Sequence, residues 1–281
     1  MDDIRVTAPI QPGNEEELDA FLALHANTSM HLRAELRREK ARSNFAIARS
    51  RGRIVGAAVQ LATGMIALQA PIAAGDLAAA VLRNTRWRLA GFFGPSAQVQ
   101  AACLHLGTGA VAQLKDADEV LFALDLEQLC LPPILSSKKV ACRVAGEGDF
   151  DRLVRWRIAF RIAAMGDIEG PDLERTSRAD ISAQLPASNL FILEGPEPLS
   201  VCSFNARLPD MVQIGNVWTP PELRGNGYAR AVVAGALEIA KRSGITAAVL
   251  ATARENSAAK AAYRSIGFKL VDDYLTLRLR Q

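Results

Sequence analysis

The sequence predicts an α/β (α+β) fold in two lobes, each a mixed, mostly antiparallel twisted sheet flanked by helices. Three observations carry this. The chain has 281 residues, room for about two domains at the usual ~150 residues each. Short apolar runs with strand character alternate with longer runs of helical periodicity. The same order of elements is also written twice, before and after a polar, proline-bearing stretch, Leu131-Pro132-Pro133 to Ser136-Ser137-Lys138-Lys139, of the kind that separates domains. The lobes are then residues 1–135 and 138–281. Residue identity between them is low, so gene duplication is a hypothesis and one large mixed domain the alternative.

In the first half, Glu15 to Arg42 reads as helix, with Leu18, Phe21, Leu22, Leu32 and Leu36 at three- and four-residue spacing. Its basic residues (Arg33, Arg37, Arg38, Lys40, Arg42) alternate with Glu35 and Glu39, which describes a solvated helix face. Phe45–Ala48, a turn at Ser50–Arg53, and Ile54–Val59 read as a hairpin. Met65–Leu68 is strand, Gly75–Arg83 helix, and Arg88–Phe92 strand. A further helix starts after Gly94-Pro95-Ser96, with the proline in its first turn, and Val120–Cys130 closes the lobe as strand.

In the second half, Val140–Val144 is strand, and Phe150–Met165 and Asp172–Leu185 are helices. Leu190–Leu193, Leu199–Asn205 and Met211–Thr219 are strands, with a turn at Gly195–Pro198. Helix (228–242), strand (Ala247–Ala251), helix (257–265) and two last strands (268–271, 274–279) follow.

Composition narrows the class. Apolar residues are 49 % and charged residues 22 % of the chain, ordinary for a globular protein and unlike a disordered or collagenous one. The formal charge is 33 − 30 = +3, too balanced to imply a nucleic-acid or membrane surface. Cys103, Cys130, Cys142 and Cys202 form no C-x-x-C pair, which argues against zinc or a disulfide framework and for a reducing, cytoplasmic setting. Met1-Asp2-Asp3 is acidic and no apolar run follows it, unlike a signal peptide. Ile54 to Gly75 carries no charge and is long enough for a bilayer. Its Gln60, Thr63, Gln69, Pro71 and glycines favour buried β-structure instead. His25, His31 and His105 all lie in the first half and read as structural or exposed.

The chemistry concentrates in Val217-Trp218-Thr219-Pro220-Pro221-Glu222-Leu223-Arg224-Gly225-Asn226-Gly227-Tyr228-Ala229. A strand ends, two prolines stop its ladder, a glycine-bearing loop follows, and a helix begins with Val232, Val233, Ala236, Leu237 and Ala240 on its apolar face. The first N–H groups of that helix have no intrahelical acceptor and carry the positive end of its dipole, so an anion fits there. Gly225 and Gly227 permit close backbone approach, and Arg224 adds a permanently charged donor. The loop is neither a Walker A motif nor a dinucleotide fingerprint, since the Gly-Lys-Ser/Thr and the third glycine are missing.

Arg224-Gly225-Asn226-Gly227-Tyr228-Ala229 resembles the Arg/Gln-x-x-Gly-x-Gly/Ala pattern of the GCN5-related N-acetyltransferase (GNAT) superfamily. Val217-x-Thr219-x-Pro221 resembles that family's fourth strand, and Asn256 to Phe268 its Asn-x₆-Tyr-x₃-Gly-Phe signature, with Tyr263 and Gly267 in register. The resemblance covers residues 138–281; the first half shares only the order of elements and reads as a degenerate lobe of a tandem arrangement.

The resemblance implies an acetyl-CoA-dependent N-acetyltransferase acting by direct attack of a primary amine on the thioester. Backbone N–H groups from Arg224 to Ala229 would hold the cofactor diphosphate. Main-chain groups of Val217, Trp218 and Thr219 would pair with the pantetheine arm and polarise the thioester carbonyl. Asn256 would bond the same arm, or simply cap its helix. Tyr263 would protonate the leaving thiolate, or serve as a core aromatic. No metal is implied. Gln213 and Asn216 cannot act as bases, and none of Glu194, Asp210 and Glu222 stands out as one. The acceptor, a small-molecule or peptide amine, would bind where the loop Gly166–Pro171 covers the sheet, with Asp167 and Glu169 available to a cation. Trp156 and Arg157 either line that pocket or merely cover it, and Trp218 reads as packing.

The first half has Pro71–Asp76 where the second has its phosphate loop, and an aspartate at a helix N-terminus repels a diphosphate. Its comparable helix offers Ser96 and Cys103 in place of Asn256 and Tyr263. Packing, pocket shaping and a homodimer surface are the roles left to it. A non-catalytic CoA-binding or interaction module is the alternative function, and a longer acyl group the alternative donor.

Overall fold

Alternating apolar positions and a short turn give the first unit its frame: β2 (Phe45–Ser50), β3 (Arg53–Gln60) and β4 (Met65–Gln69) pair antiparallel in chain order. The computed structural model describes residues 4–38, 41–107, 114–137 and 139–279. Met1, Asp2, Asp3, Glu39, Lys40 and Lys138, named above, lie outside the described residues. β1 (Ile4–Thr7) pairs with the outer side of β2, and β5 (Gly91–Pro95) runs parallel to β4. Between β1 and β2 lie α1 (Glu15–Ala23) and α2 (Met30–Leu36), and α3 (Ala74–Asn84) crosses from β4 to β5. α4 (Ser96–His105) follows β5, and β6 (Leu114–Asp125) comes next. Leu68, Leu77, Val81, Phe92 and Val99 form the centre of this unit's core.

The second unit repeats the plan. β7 (Ala141–Val144), β8 (Leu190–Glu194), β9 (Pro198–Arg207) and β10 (Met211–Trp218) are antiparallel, and β11 (Ala247–Ala253) runs parallel to β10. A helix pair, α6 (Phe150–Phe160) and α7 (Pro171–Gln184), stands between β7 and β8. α8 (Tyr228–Arg242) crosses from β10 to β11, and α9 (Ser257–Ser265) follows β11. Period-two alternation sends Leu190, Ile192 and Val201 toward α6 and α7, where they meet Leu153, Val154 and Ile181. The intervening Phe191 pairs with Phe204 at 4.5 Å between ring centroids. Cys202 faces α8, its thiol 3.7 Å from the Val232 carbonyl.

Several elements differ from the sequence reading. The helix expected over 15–42 is two helices, because the polar side chains between them take backbone acceptors for themselves. Ser29 Oγ donates to the Leu22 carbonyl at 2.6 Å, and Thr28 Oγ1 to the His25 carbonyl at 3.2 Å and the Gln69 side-chain oxygen at 2.6 Å. Its face is not simply solvated either: Arg33 is buried, and both Arg33 and Arg37 bind Asp19. β5 starts at Gly91 and not Arg88, since the Ala90 amide turns aside to the Gly64 carbonyl. Pro95 therefore ends a strand instead of opening a helix. β6 ends at Asp125, whose carboxylate accepts from the Glu127 amide at 2.9 Å and turns the chain. The polar linker holds a short helix, α5 (Pro133–Ser136). The uncharged run 54–75 is the β3–β4 hairpin and its exit. No helix among the described residues is long and apolar enough to cross a membrane.

The chain's end differs most. In place of the two strands expected over 268–271 and 274–279 there is a single one, β12 (Lys269–Leu279). It pairs antiparallel with β5, Tyr274 opposite Pro95 and Leu277 opposite Phe92. Leu275 and Leu277 are buried in the first unit's core. The first unit accordingly comprises 4–122 with 251–255 and 270–279, and the second Ala123–Leu250 with Asn256–Lys269. A single cut at the linker does not describe this division.

α8 packs on β7, β8, β9 and β10 through a face of Ala231, Ala234 and Gly235, all fully buried or nearly so. A Cβ on Gly235 would run into Cys142 Cβ on β7. Alanine there gains about 1 kcal/mol of helix propensity, while overpacking a core costs about 1–3 kcal/mol. Gly235→Ala is expected to lower stability by about 1 kcal/mol net, seen as an earlier chemical-denaturation midpoint with an unchanged m-value; a later midpoint would reverse the sign.

Candidate active site

The parallel pairing of β10 with β11 runs from Met211/Ala247 to Ile214/Leu250 and stops there. β10 continues four residues further, to Trp218. Its register with β9 jumps from Gly215/Ser203 to Trp218/Val201, so Asn216 and Val217 have no opposite residue. This is a β-bulge, which bends the strand and re-aims its groups. Asn216 adopts φ +51°, a left-handed conformation that asparagine tolerates better than most residues. Its side chain is held from three sides: Nδ2 donates to Ser203 Oγ (2.8 Å) and Asn205 Oδ1 (2.9 Å), and Oδ1 accepts from Arg157 Nη1. Gly215 lets this happen, since a Cβ there would collide with the Asn205 amide.

Past the bulge, the expected cofactor contacts divide. Ser200 Oγ donates to the Trp218 carbonyl (2.9 Å) and shares a 2.9 Å hydrogen bond with Thr219 Oγ1, while the Thr219 carbonyl accepts from Arg224 Nε at 3.1 Å. Val217 is the residue of the three whose carbonyl has no such side-chain donor among the described residues. Pro220 and Pro221 stop the ladder and lead through a single 3₁₀ turn to Arg224. Gly225 (φ +81°) and Gly227 (φ +77°) then turn the backbone into α8, a helix of 15 residues. Among the described residues, none accepts from the amides of Gly225, Asn226, Gly227, Tyr228, Ala229 or Arg230. The Ala231 amide makes the first helical bond, to Gly227. Six free amides on an exposed-to-half-buried loop at a helix N-terminus form an anion cradle.

Two arginines flank the cradle. Arg224 does not simply point at it: its guanidinium also lies over the Trp218 ring, 4.8 Å from the centroid. Arg230, which the sequence reading passed over, folds back so that its Nε would stand 3.0 Å from a Cβ on Gly227. Asn256 caps α9, its Oδ1 accepting from the Ala259 amide at 3.0 Å, so the capping role is realised and only its Nδ2 is left over. Tyr263, on α9, is 8 % exposed and meets Phe268 edge-on at 6.1 Å. Burial, reinforced by the nearby Cys202, pushes its phenol above the ordinary range, so it holds its proton at neutral pH.

A narrow cleft opens on the α6–α7 face of the same strand end. Its floor is Leu190, Val201, Asn216 and Trp218, and its walls are Leu153, Trp156, Arg157 and Phe160 on one side with Ile181 and Gln184 on the other. Phe160 meets Trp218 edge-on at 6.4 Å. Arg157 and Trp156 thus line the cleft, and Trp218 does more than pack. The helix bodies form the walls; the loop Gly166–Pro171 does not contribute a lining residue. Asp167, expected to attract a cation, is committed to Arg161 at 2.6 Å.

The carboxylates offered as bases are disposed of by geometry. Asp210 stands at the opposite end of β10, bonded through its carbonyl to Thr246 and Ala247. Glu194 is 2.6 Å from Arg143, which also holds Asp149 at 2.6 Å and depresses that carboxyl's pKa. Glu222 is exposed in the turn before the cradle. Asp180, not singled out in the sequence, binds Arg157 at 3.0 Å. The sequence did hold one clue to this network: a glycine inside a strand, Gly215, signals a bulge or a close approach.

The corresponding segment of the first unit differs in its strand end and in the charge at its helix start. β3 and β4 keep an unbroken register from Ala57/Gln69 to Gln60/Ile66. The Ala70 amide, just past the end of β4, is taken by Gln98 Oε1 at 2.5 Å. α3 carries Asp76 in its first turn, with His105 Nε2 3.7 Å away.

Comparison with known proteins finds a family match in the second half of the chain. Residues 155–268 match the acetyltransferase (GNAT) family. No curated protein sequence matches. Among solved structures, a GCN5-related N-acetyltransferase from Sphaerobacter thermophilus aligns over 100 % of this chain and 97 % of its own, at TM-score 0.60 and 14 % identity. A GNAT-family acetyltransferase from Colwellia psychrerythraea aligns over 99 % and 100 %, at TM-score 0.53 and 16 % identity. A tandem GNAT protein from the clavulanic acid biosynthesis pathway aligns over 99 % of both chains, at TM-score 0.54 and 13 % identity. At such identities the structures establish the fold alone: the chain has a GNAT-type fold, and its residues 155–268 match the acetyltransferase (GNAT) family.

Proposed function

We propose that the second unit transfers an acetyl group from acetyl-CoA to a primary amine and that the first unit binds no cofactor. The observation that carries the reading is the run of unpartnered amides from Gly225 to Arg230 beside a bulged strand end with an apolar cleft behind it. The amide cradle suits a diphosphate in shape and sign, and Arg224 and Arg230 add charge at its rim. Acetyl-CoA, when bound, supplies an activated acyl thioester. The chain's part is to orient and to polarise. The Val217 N–H, at the bulge, is the main-chain donor assigned to the thioester oxygen, and one well-aimed donor to a developing oxyanion is worth ~3 kcal/mol. Tyr263 offers a proton for the departing thiolate, with position mattering more than acidity because burial holds its pKa high. The acceptor amine enters by the cleft of Trp156, Phe160 and Trp218.

A second reading, a CoA-binding module without turnover, is favoured by one specific observation: Glu194 and Asp180, the carboxylates nearest this end of the sheet, are each paired with an arginine. Incubation with acetyl-CoA and a panel of amines, following free thiol, separates the two. Thiol release that depends on an amine supports transfer; tight CoA binding with no release from any amine supports the module.

Three outcomes follow. Gly227→Val strains a left-handed position and pushes a side chain against Arg230 at the cradle, so CoA affinity is expected to fall at least tenfold in calorimetry; unchanged affinity would move the diphosphate elsewhere. Tyr263→Phe is expected to lower kcat by about 10²-fold, the low end of general acid catalysis, with CoA affinity within about twofold; an unaffected kcat would return Tyr263 to the core. Wild-type protein is expected to bind one CoA per chain, because Gln98 and Asp76 occupy and repel at the corresponding place in the first unit. A stoichiometry of two would refute that asymmetry.

A further inference from the structure

Several arginines of the second unit are spent on carboxylates. Arg143 holds Asp149 and Glu194, Arg157 holds Asp180, and Arg161 holds Asp167. Arg224 differs from all three. It has no carboxylate partner among the described residues, yet it is fixed at two points. Its Nε donates to the Thr219 carbonyl at 3.1 Å. Its guanidinium lies over the Trp218 indole, 4.8 Å from the ring centroid. Both Nη groups are left without a partner among the described residues, on an exposed side chain one residue before the amide cradle.

The support under Arg224 is itself held. Trp218 is 7 % exposed and meets Phe160 edge-on. Ser200, fully buried on β9, donates to the Trp218 carbonyl at 2.9 Å and shares a 2.9 Å hydrogen bond with Thr219 Oγ1. The stretch of main chain that receives Arg224 is therefore pinned to the neighbouring strand. An arginine free in solvent loses rotamer freedom when it engages an anion, and one already held loses less. Stacking occupies the face of the guanidinium and leaves its in-plane N–H donors available. Lysine cannot match this, because an ammonium is a point charge with no plane to lie on the indole and no second nitrogen to give to the carbonyl.

We propose, on the reading of Gly225–Arg230 as the cofactor's diphosphate site, that Trp218 is a positioning residue for cofactor binding. Its indole face and the adjoining Thr219 carbonyl hold Arg224 with both Nη groups free for a phosphate oxygen of CoA. The bulged end of β10 thus has a second task besides its main-chain contacts: it sets the side chain that supplements the cradle.

A double-mutant cycle on the full chain, read as CoA affinity in calorimetry, tests this. Arg224→Ala is expected to raise Kd about tenfold, the scale of one charge-assisted hydrogen bond. Trp218→Leu is expected to raise it about fivefold, through the lost stacking and the freed rotamers. The double variant should bind no more weakly than Arg224→Ala alone, because the ring acts through the arginine. Trp218→Phe keeps an aromatic face and should stay within about twofold of wild type. Arg224→Lys keeps the charge and should nonetheless lose about as much as Trp218→Leu. That exposed substitution leaves the core untouched and carries the test if Trp218→Leu fails to fold. Losses that multiply in the double variant, or wild-type affinity in Arg224→Lys, would overturn the proposal with the diphosphate site intact. Tighter binding by Trp218→Leu would do the same, by showing that the ring withholds the arginine. A wild-type chain that binds no CoA would remove the diphosphate reading and the proposal with it.

Discussion

The site rests on one backbone distortion, the left-handed Asn216 at the end of β10. A non-glycine residue in that conformation is tolerated when its surroundings over-determine it, and here they do. Ser203 and Asn205 hold the amide nitrogen, Arg157 holds the oxygen, and the absence of a Cβ on Gly215 lets Asn205 close underneath. The distortion takes Val217 out of register with β9 just where β10 has lost β11. The strand end is thereby turned out of the regular ladder. The same turn of the strand sends the Asn216 and Trp218 side chains to the α6–α7 face and delivers the chain, through two prolines, to the amide cradle.

The two units show how little of a fold's function is fixed by its frame. Both have four antiparallel strands and a parallel fifth, a helix pair between the first and second strands and a crossover helix between the fourth and fifth. In the first unit β4 is regular, its terminal amide is met by Gln98, and an acidic residue opens α3. In the second, the corresponding strand is bulged, a loop with two left-handed glycines follows, and no acidic residue stands in the first turn of α8. These are local changes of a few residues, made without altering the order of elements.

Most of this was legible in the sequence, for physical reasons that also explain what was not. The cradle could be read because prolines, glycines and an apolar helix face are local signals, and the family signature from Asn256 to Phe268 tied them together. The break between α1 and α2 was missed because Ser29 and Thr28 compete for carbonyls only once Leu22 and Gln69 are in place, which periodicity cannot foresee. The allegiance of β12 was missed for a similar reason. Its alternating pattern specifies a strand with one buried face, but not which partner covers that face; the choice of β5 depends on contacts nearly two hundred residues apart. The Arg157–Asp180–Asn216 network lay hidden because charged and amide side chains on separate helices and strands carry no sequence spacing.

That network also fixes how the local carboxylates are used. Arg157 braces the bulge through Asn216 and pairs with Asp180 at 3.0 Å, and Arg143 holds both Asp149 and Glu194 at 2.6 Å. Each of these carboxylates is therefore a strut: its geometry is set by an arginine whose other bonds hold a strand or a turn in place. A paired guanidinium and carboxylate also carry no net charge together, so the α6–α7 face of the strand end is apolar in its walls and close to neutral in its polar edge. On the reading proposed above, the strand end then contributes shape and main-chain groups, and the proton of the acceptor is left to solvent.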